Sequence, residues 1–349
     1  MSRIVLADDG IEFDGSTPGK QPLGGVESSV VFLMEELARR GHQVLVLNNC
    51  AQAMTHNGVD WRPIHTDRPY GGMPEHADLY IANRGDRLIP LMPEAGRTVF
   101  WIHNPAQYLL KWRYLSKLWR VKPQIVFIGD YHATTYPRWA PDGGRIVIPY
   151  GIPEMFRHGE PIKVPPAPRA VFTSNPLRSL DWLLDLWAER IRPRAPGAEL
   201  HIFSGAATYG SVGDAKAQAM GSILERAQSM SGEGVRLRGP VAKPQLIEEL
   251  RASRVMLYRG DLNETFCLAV GEAQALGVPA VVQNLGSVKE RVIDGVTGYV
   301  AASDEAFADS ACSLLNSDDL WRRFHEEALH RQRAWGWPEA ATKFERLIP

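Results

Sequence analysis

The stretch Glu264-Thr265-Phe266-Cys267-Leu268-Ala269-Val270-Gly271-Glu272, followed at once by Ala273-Gln274-Ala275-Leu276-Gly277-Val278-Pro279-Ala280-Val281-Val282, decides how this chain is read. Two carboxylates bracket an apolar helix start, and Gly277 with Pro279 turns the chain into a buried strand. Helix, tight turn and apolar strand in that order suggest a parallel α/β sheet, and open sheets of that kind bind ligands beyond the carboxyl ends of their strands. Carboxylates beside a helix N-terminus are well placed to accept hydrogen bonds from hydroxyls, so half of a nucleotide-sugar site is expected here. Glycosidases also use two carboxylates, but theirs face each other around a scissile bond. Glu264 and Glu272, separated by a loop and a helix, are not evidently such a pair.

With 349 residues the chain exceeds the size at which one core usually keeps growing, so two domains are expected. Lys+Arg 39 against Asp+Glu 40 gives a formal net charge of −1, which excludes a global basic field for nucleic acid. Any anionic partner must meet a local patch. Cys50, Cys267 and Cys312 are odd in number, far apart and in no metal-ligand spacing. Neither a disulfide framework nor a zinc site is expected, and a reducing, cytoplasmic compartment is. The N-terminal apolar run is cut by Asp8 and Asp9, and no segment approaches ~18 uninterrupted apolar residues, so a soluble or peripherally bound protein is expected.

Ile4 to Ala7 reads as a strand ending in a Gly-rich loop, Val30 to Ala38 as a helix, and Val44 to Leu47 as the next strand. Further strands are predicted at 79–82, 98–102, 125–128 and 145–148. Six prolines then crowd between Pro149 and Pro168, the signature of a stiff connector. A second series follows at 170–173, 200–203, 235–237, 255–258 and 280–283, with helices from Glu305 onward. The pattern predicts an α/β protein of two Rossmann-like, doubly wound domains facing across a cleft. Its expected boundaries are 1–155 for the first domain, 156–168 for the Pro-rich linker, 169–325 for the second domain, and 326–349 for helices crossing back to the first.

The loop before the first helix carries Gly24-Gly25-Val26-Glu27. Paired glycines there let the backbone approach a phosphate and aim free N–H groups and the positive helix end at it, although the same pair also serves as a plain turn. Together with Leu33, Leu37-Ala38 and Arg40-Gly41-His42-Gln43-Val44, this segment resembles the N-terminal signature of glycosyltransferase family 4, retaining enzymes of the GT-B fold. The resemblance continues through Ile148-Pro149-Tyr150-Gly151, Arg238-Gly239-Pro240-Val241, Glu264 with Phe266 and Leu268, Glu272-Ala273, Gly277-Val278-Pro279, Glu290 and Asp294 to Gly298. It spans almost the whole chain, densest at 22–47 and 235–300.

The resemblance implies a role for each matching residue. Gly24 and Gly25 would lie against the donor diphosphate, Gly239 and Val241 near the base, Glu264 on hydroxyls of the donor sugar with Thr265, Phe266, Cys267 and Leu268 around it, and Glu272 on the ribose. His103, in Trp101-Ile102-His103-Asn104-Pro105, takes the place of a histidine contacting the transferred sugar; a lone histidine at a strand end is otherwise an ordinary hydrogen-bonded one. Family members usually place an Arg and then a Lys after the first strand of the second domain. Here Arg178 aligns with the Lys, while Thr173 or Ser174 stands where the Arg is expected. A guanidinium can grip phosphate with two N–H groups, and Arg259 or Lys243 are candidates for the missing charge. Cys267 stands where a Gly is usual.

The implied chemistry is retaining sugar transfer from a UDP-, GDP- or ADP-sugar, with Arg178, the glycine loop and a helix terminus stabilising leaving-group charge and no metal or cofactor required. A lipid-linked, glycolipid or polysaccharide acceptor is expected from a stretch between Arg97 and Gly129 that holds six basic residues and no Asp or Glu. At helical spacing Tyr108, Trp112, Leu115 and Trp119 share one face and Arg113, Lys117 and Arg120 another, which fits docking on an anionic membrane surface as well as it fits a core helix with a solvated basic side. Two further readings stay open: a non-catalytic nucleotide-sugar-binding or partner subunit, and another enzyme on the same fold such as a phosphorylase or epimerase.

Overall fold

Apolar runs without polar alternation fold as strands covered on both faces, as parallel sheets require. The computed structural model describes residues 1–64, 72–205 and 217–349, and it holds two such sheets in two units. Unit 1 comprises Met1–Thr17, Gly25–Gly151 and Trp337–Pro349; unit 2 comprises Pro18–Gly24 and Ile152–Gly336.

In unit 1, β1 (Arg3–Asp8), β2 (Gln43–Asn48), β3 (Met54–His56), β4 (Val59–Pro63), β5 (Leu79–Asn83), β6 (Arg97–Trp101), β7 (Gln124–Phe127) and β8 (Arg145–Val147) form one sheet in the order β3-β4-β2-β1-β5-β6-β7-β8. All neighbours are parallel except β3 and β4, a hairpin. Strand order reverses between β1 and β5, the switch point at which such sheets open to ligands. The helix Gly25–Arg39 buries Val30, Val31, Leu33, Met34 and Leu37, a stripe at helical spacing. The helix Trp337–Glu345 packs on it. Phe344 meets Trp101 edge-on at 5.3 Å between ring centres, and Glu345 pairs with Arg40 at 2.7 Å.

In unit 2, β9 (Arg169–Phe172), β10 (Glu199–Ile202), β11 (Val235–Leu237), β12 (Val255–Leu257), β13 (Ala280–Gln283) and β14 (Gly298–Ala301) are all parallel in the order β11-β10-β9-β12-β13-β14. Renumbered within the unit this is 3-2-1-4-5-6, the doubly wound order, with its switch point between β9 and β12. The helix Leu268–Ala275 is apolar nearly all round and buries Val270, Gly271, Ala273 and Ala275 together with Glu272 and Gln274, as a helix sunk in a core does.

Three boundaries differ from the sequence reading. The division falls between Gly151 and Ile152, and the proline-rich stretch is not a free connector: Phe156 is fully buried in the unit 2 core, and the N–H of Ile162 donates to His325 Nε2 at 2.9 Å. A large aromatic ring removed from water outweighs the stiffness of the prolines around it. The helix Asp318–Gln332 belongs to unit 2, where Trp321 is buried and donates its indole N–H to the Arg254 carbonyl at 3.1 Å. Only Trp337–Pro349 goes with unit 1.

The aromatic helix also differs. Lys111 is extended, so a short 3-10 turn Ala106–Leu110 precedes a separate helix Trp112–Val121, and Tyr108 is not on that helix. Tyr114 and Leu118 are its buried residues, while Trp112 and Trp119 stand 75% and 70% exposed. Its basic face is partly neutralised within unit 1: Lys117 pairs with Asp86, and Arg113 lies 3.6 Å from the same carboxylate. No helix among the described residues is long and apolar enough to cross a membrane.

Candidate functional site

At the unit 2 switch point the loops after β9 and β12 bring Arg178, Tyr258 and Glu264 together. Glu264 is buried. One carboxylate oxygen, Oε2, accepts from Arg178 Nη1 and from the Tyr258 hydroxyl at 2.8 Å; the other, Oε1, accepts the backbone N–H of Cys267 at 3.2 Å. The loop is clamped from behind by Gly286, whose φ of +65° only glycine adopts freely and where a Cβ would come 2.2 Å from the Asp261 carbonyl oxygen. Burial works against the charge on Arg178, but the Glu264 carboxylate holds its guanidinium above the usual range. Burial, then the Glu264 charge, pushes the Tyr258 hydroxyl and the Cys267 thiol well up.

Cys267 sits immediately before the helix Leu268–Ala275 with φ +68°, the left-handed region that favours glycine. The usual Gly at this position therefore has a conformational reason, and the cysteine carries strain while filling a buried site. Thr265 and Phe266 are buried beside it, and the Arg291 guanidinium lies over the Phe266 ring at 4.3 Å. One turn into the helix, Glu272 accepts from Lys243 Nζ, and Lys243 also lies 5.2 Å from the Phe156 ring centre. The turn before Lys243 contains Gly239 at φ +70° with open space where a Cβ would be, and Val241 is half-buried there.

Neither candidate for the missing charge is free. Lys243 is held by Glu272, and Arg259 donates to Gln283 Oε1 at 2.9 Å while lying over the Trp182 ring at 4.8 Å. Ser174 is buried, and its carbonyl accepts the Ser204 hydroxyl at 2.5 Å. Unit 2 thus presents two carboxylate–cation couples side by side along one helix start, Arg178 with Glu264 and Lys243 with Glu272. Tyr258, read from the sequence only as the end of a strand, is the third donor to Glu264. The observed strand stops one residue earlier, at Leu257, which puts Tyr258 in the loop with Glu264.

In unit 1, Gly25 opens the helix Gly25–Arg39, while Gly24 ends the segment Pro18–Gly24 that groups with unit 2. His103 follows β6 and is buried. Its Nε2 meets Asn83 Oδ1 at 2.5 Å and its Nδ1 the Tyr150 hydroxyl. Asn83 in turn donates to Asp8, which takes Arg84 through Nε and Nη2 at 3.1 and 3.0 Å, and Arg84 reaches Glu27 at 2.9 Å. An amide oxygen only accepts and a phenol readily donates, so the network assigns the His103 proton to Nε2. Burial first, then the Arg84 charge, pushes His103 well below its ordinary range. Both ring nitrogens thus have partners inside unit 1, Asn83 and Tyr150. Arg84 and Asn83 carried no periodic or spacing signal, and Tyr150 entered only as part of the Ile148 to Gly151 motif, without a role.

Residues 167–317 match the family model described as glycosyl transferases, group 1. Among curated proteins, the D-inositol 3-phosphate glycosyltransferase of Corynebacterium glutamicum is 30% identical over 115 residues, 32% of this chain and 27% of that protein. The enzyme of the same description from Nocardia farcinica is 28% identical over 170 residues, 48% of this chain and 36% of that protein. The matched part thus spans about a third or less of these relatives. Among solved structures, sucrose-phosphate synthase from Thermosynechococcus elongatus has a TM-score of 0.74 at 16% identity, covering 99% of this chain and 98% of that one. Anabaena HepE in complex with UDP and glucose has a TM-score of 0.73 at 13% identity, covering 99% of both chains. At such identities the likeness is one of fold, and the fold is that of the two-domain GT-B glycosyltransferases.

Proposed function

We propose that this protein is a metal-independent, retaining glycosyltransferase that takes a sugar from a nucleotide-sugar donor. The observation that carries the reading is the pair of carboxylate–cation couples at the switch point of unit 2, inside the segment that matches the group 1 glycosyl transferases. Glu264 accepts hydroxyls of the donor sugar, Glu272 accepts ribose hydroxyls, and Arg178 meets the charge that grows on the diphosphate as the sugar departs. The guanidinium can grip two phosphate oxygens at once and needs no metal to do so. HepE binds UDP and glucose on the same fold, which supports a nucleotide-sugar donor. His103 acts here by fixing the carboxyl ends of β5 and β6 rather than by touching the sugar.

The acceptor is a lipid-linked, glycolipid or polysaccharide molecule reached at an anionic membrane surface. Trp112 and Trp119, both exposed on the helix Trp112–Val121, fit the headgroup layer, where aromatic side chains with a polar edge settle. Arg120 adds attraction, and Arg113 and Lys117 add less than an unpaired face because Asp86 offsets them. Nucleotide release measured with a panel of UDP-, GDP- and ADP-sugars tests the whole reading, with lipid acceptors and D-inositol 3-phosphate, the compound named for the relatives, as separate arms. One donor should be turned over with retention at the anomeric carbon. Donor binding without turnover for any acceptor would instead favour a partner subunit.

A further inference from the structure

A concavity of about 760 Å³ opens in unit 1 at the amino ends of β6 and β7, where Arg97 and Gln124 begin their strands. Strands rise ~3.3 Å per residue, so the five residues of β6 set this mouth roughly 15 Å from the carboxyl end that His103 follows. Its charged lining is entirely cationic: Arg97, Arg120 and Lys122, with no Asp or Glu. None of the three forms an ion pair among the described residues. Arg97 donates one N–H to Gln124 Oε1 at 3.1 Å and keeps the rest of its fork unused. Of the acids next to lining residues in the chain, Asp142 pairs with Arg145 at 2.6 Å and Asp78 accepts the N–H of Arg3 at 2.7 Å, while Glu94, between Pro93 and Ala95, is solvent-exposed and does not line the space.

Cations at the C-terminal end of the helix Trp112–Val121 complement its dipole, which accounts for Arg120 in the last turn. It does not account for Arg97, which reaches the same space from the sheet. Lys122 is also unusual, because it closes that helix at φ +49°, a left-handed position that glycine or asparagine normally fills. Gly143 packs so close that a Cβ there would lie 1.9 Å from the Lys122 carbonyl oxygen, so the strained lysine is held in place by its neighbour. Three like charges around one concavity repel each other, and an oxyanion relieves that repulsion. Guanidinium groups suit phosphate because they donate in pairs. The lining also includes Ile89, Pro90, Met92 and Pro93, which are apolar.

We propose that this concavity binds a phosphate ester carrying an apolar substituent, with phosphoryl oxygens on Arg97, Arg120 and Lys122 and the substituent against the wall of Ile89, Pro90 and Met92. All three cations belong to unit 1, and the proposal does not rest on the assignment of the donor residues in unit 2. Calorimetry on the full chain with octyl phosphate and with inorganic phosphate tests it. Octyl phosphate should bind at least tenfold more tightly than inorganic phosphate, and the Arg120→Gln/Lys122→Gln variant should lose at least tenfold of that affinity with an unchanged melting temperature. Arg120→Lys should recover part of an Arg120→Gln loss, and Arg178→Ala should bind octyl phosphate like the wild type. Phosphatidylglycerol vesicles tested with Arg97→Gln, which leaves the helix Trp112–Val121 and its Arg120 unchanged, separate the two sources of the same chemistry: vesicle binding lost together with octyl phosphate identifies a lipid headgroup, and vesicle binding kept while octyl phosphate is lost identifies a soluble ester. Octyl phosphate affinity unchanged in the double variant, lost in Arg178→Ala, or absent in the wild type at millimolar concentration overturns the proposal.

Discussion

Replacing Glu264 by Gln keeps the side chain's shape and one acceptor oxygen but removes its charge. That charge is shared by Arg178, the Tyr258 hydroxyl and the Cys267 amide. Neutralising one partner of a fully buried pair costs about 3 to 5 kcal/mol. Arg178 keeps 34% of its side chain exposed, so water screens the pair and replaces part of its solvation, and a loss of about 1 to 2 kcal/mol is expected. The melting temperature should therefore fall by a few degrees. The same change releases Arg178, and if about 1 kcal/mol of its attraction to Glu264 becomes available to a diphosphate, affinity for free nucleoside diphosphate rises roughly fivefold. Transfer moves the other way, because a sugar hydroxyl loses a charged acceptor worth about 1.5 to 3 kcal/mol. Calorimetry with UDP, GDP and ADP beside turnover with the corresponding sugars separates the two effects. Weaker nucleoside diphosphate binding in Glu264→Gln than in the wild type would refute the picture of Arg178 shared between carboxylate and phosphate.

Arg178→Ala should lower turnover about tenfold or more, since leaving-group charge grows in the transition state, and Arg178→Lys should retain part of it; wild-type rates in the alanine variant count against the role. Cys267→Gly relieves a strained left-handed residue and should raise stability by up to about 1 kcal/mol in a denaturant titration, the lost packing of a buried sulfur working against it. At pH 8 native Cys267 should resist iodoacetamide, because burial keeps it a protonated thiol, and rapid labelling seen by mass spectrometry would contradict its placement. Burial holds His103 well below 6.5 and His132, buried in the unit 1 helix Asp130–Thr134, down to about 4, so the unfolded chain binds protons that the native one refuses. Stability of unit 1 should be intact above pH 6.5 and decline as pH falls from 6.5 toward 4, and a flat melting profile across that window would exclude two buried neutral imidazoles.

Much of the fold was legible because parallel strands buried on both faces write themselves as apolar runs, and Ile4–Ala7, Val255–Leu257 and Ala280–Val282 are such runs. The hairpin of β3 and β4 was not, since Thr55, Asp60 and Arg62 break the run and only Val59 and Trp61 are buried. β14, Gly298–Ala301, begins with glycine and is half-exposed in its middle, so it lacks the same mark. At the candidate site, Glu264 and Glu272 were legible as carboxylates bracketing a helix start, and Arg178 through the family resemblance alone. What they touch was not, because Lys243 and Arg178 reach their carboxylates across 29 and 86 residues of chain. The aromatic helix was legible only in part, for a related reason: Tyr108 falls in the preceding turn, and the sequence left open whether the tryptophan face is covered. Periodicity reports a shared face, while which face is covered depends on neighbours, and here Tyr114 and Leu118 face inward and the tryptophans outward.

Unit 1 receives its last helix, Trp337–Glu345, only after the chain has passed through the whole of Ile152–Gly336. The two ends of that long excursion are neighbours, for Ile152 and Gly336 form a parallel bridge. During synthesis the polypeptide emerges at ~5 to 20 residues per second, so the sheet of unit 2 can be complete while the side of unit 1 that the helix Trp337–Glu345 will cover, with the Trp101 ring that Phe344 meets, is still exposed. The first half of this protein is thus the last to finish, with an apolar face open for about 9 to 37 seconds while residues 152–336 are made. A chain cut just after Gly336 would stay in that state permanently, and a chaperone that recognises apolar helices would find its substrate there.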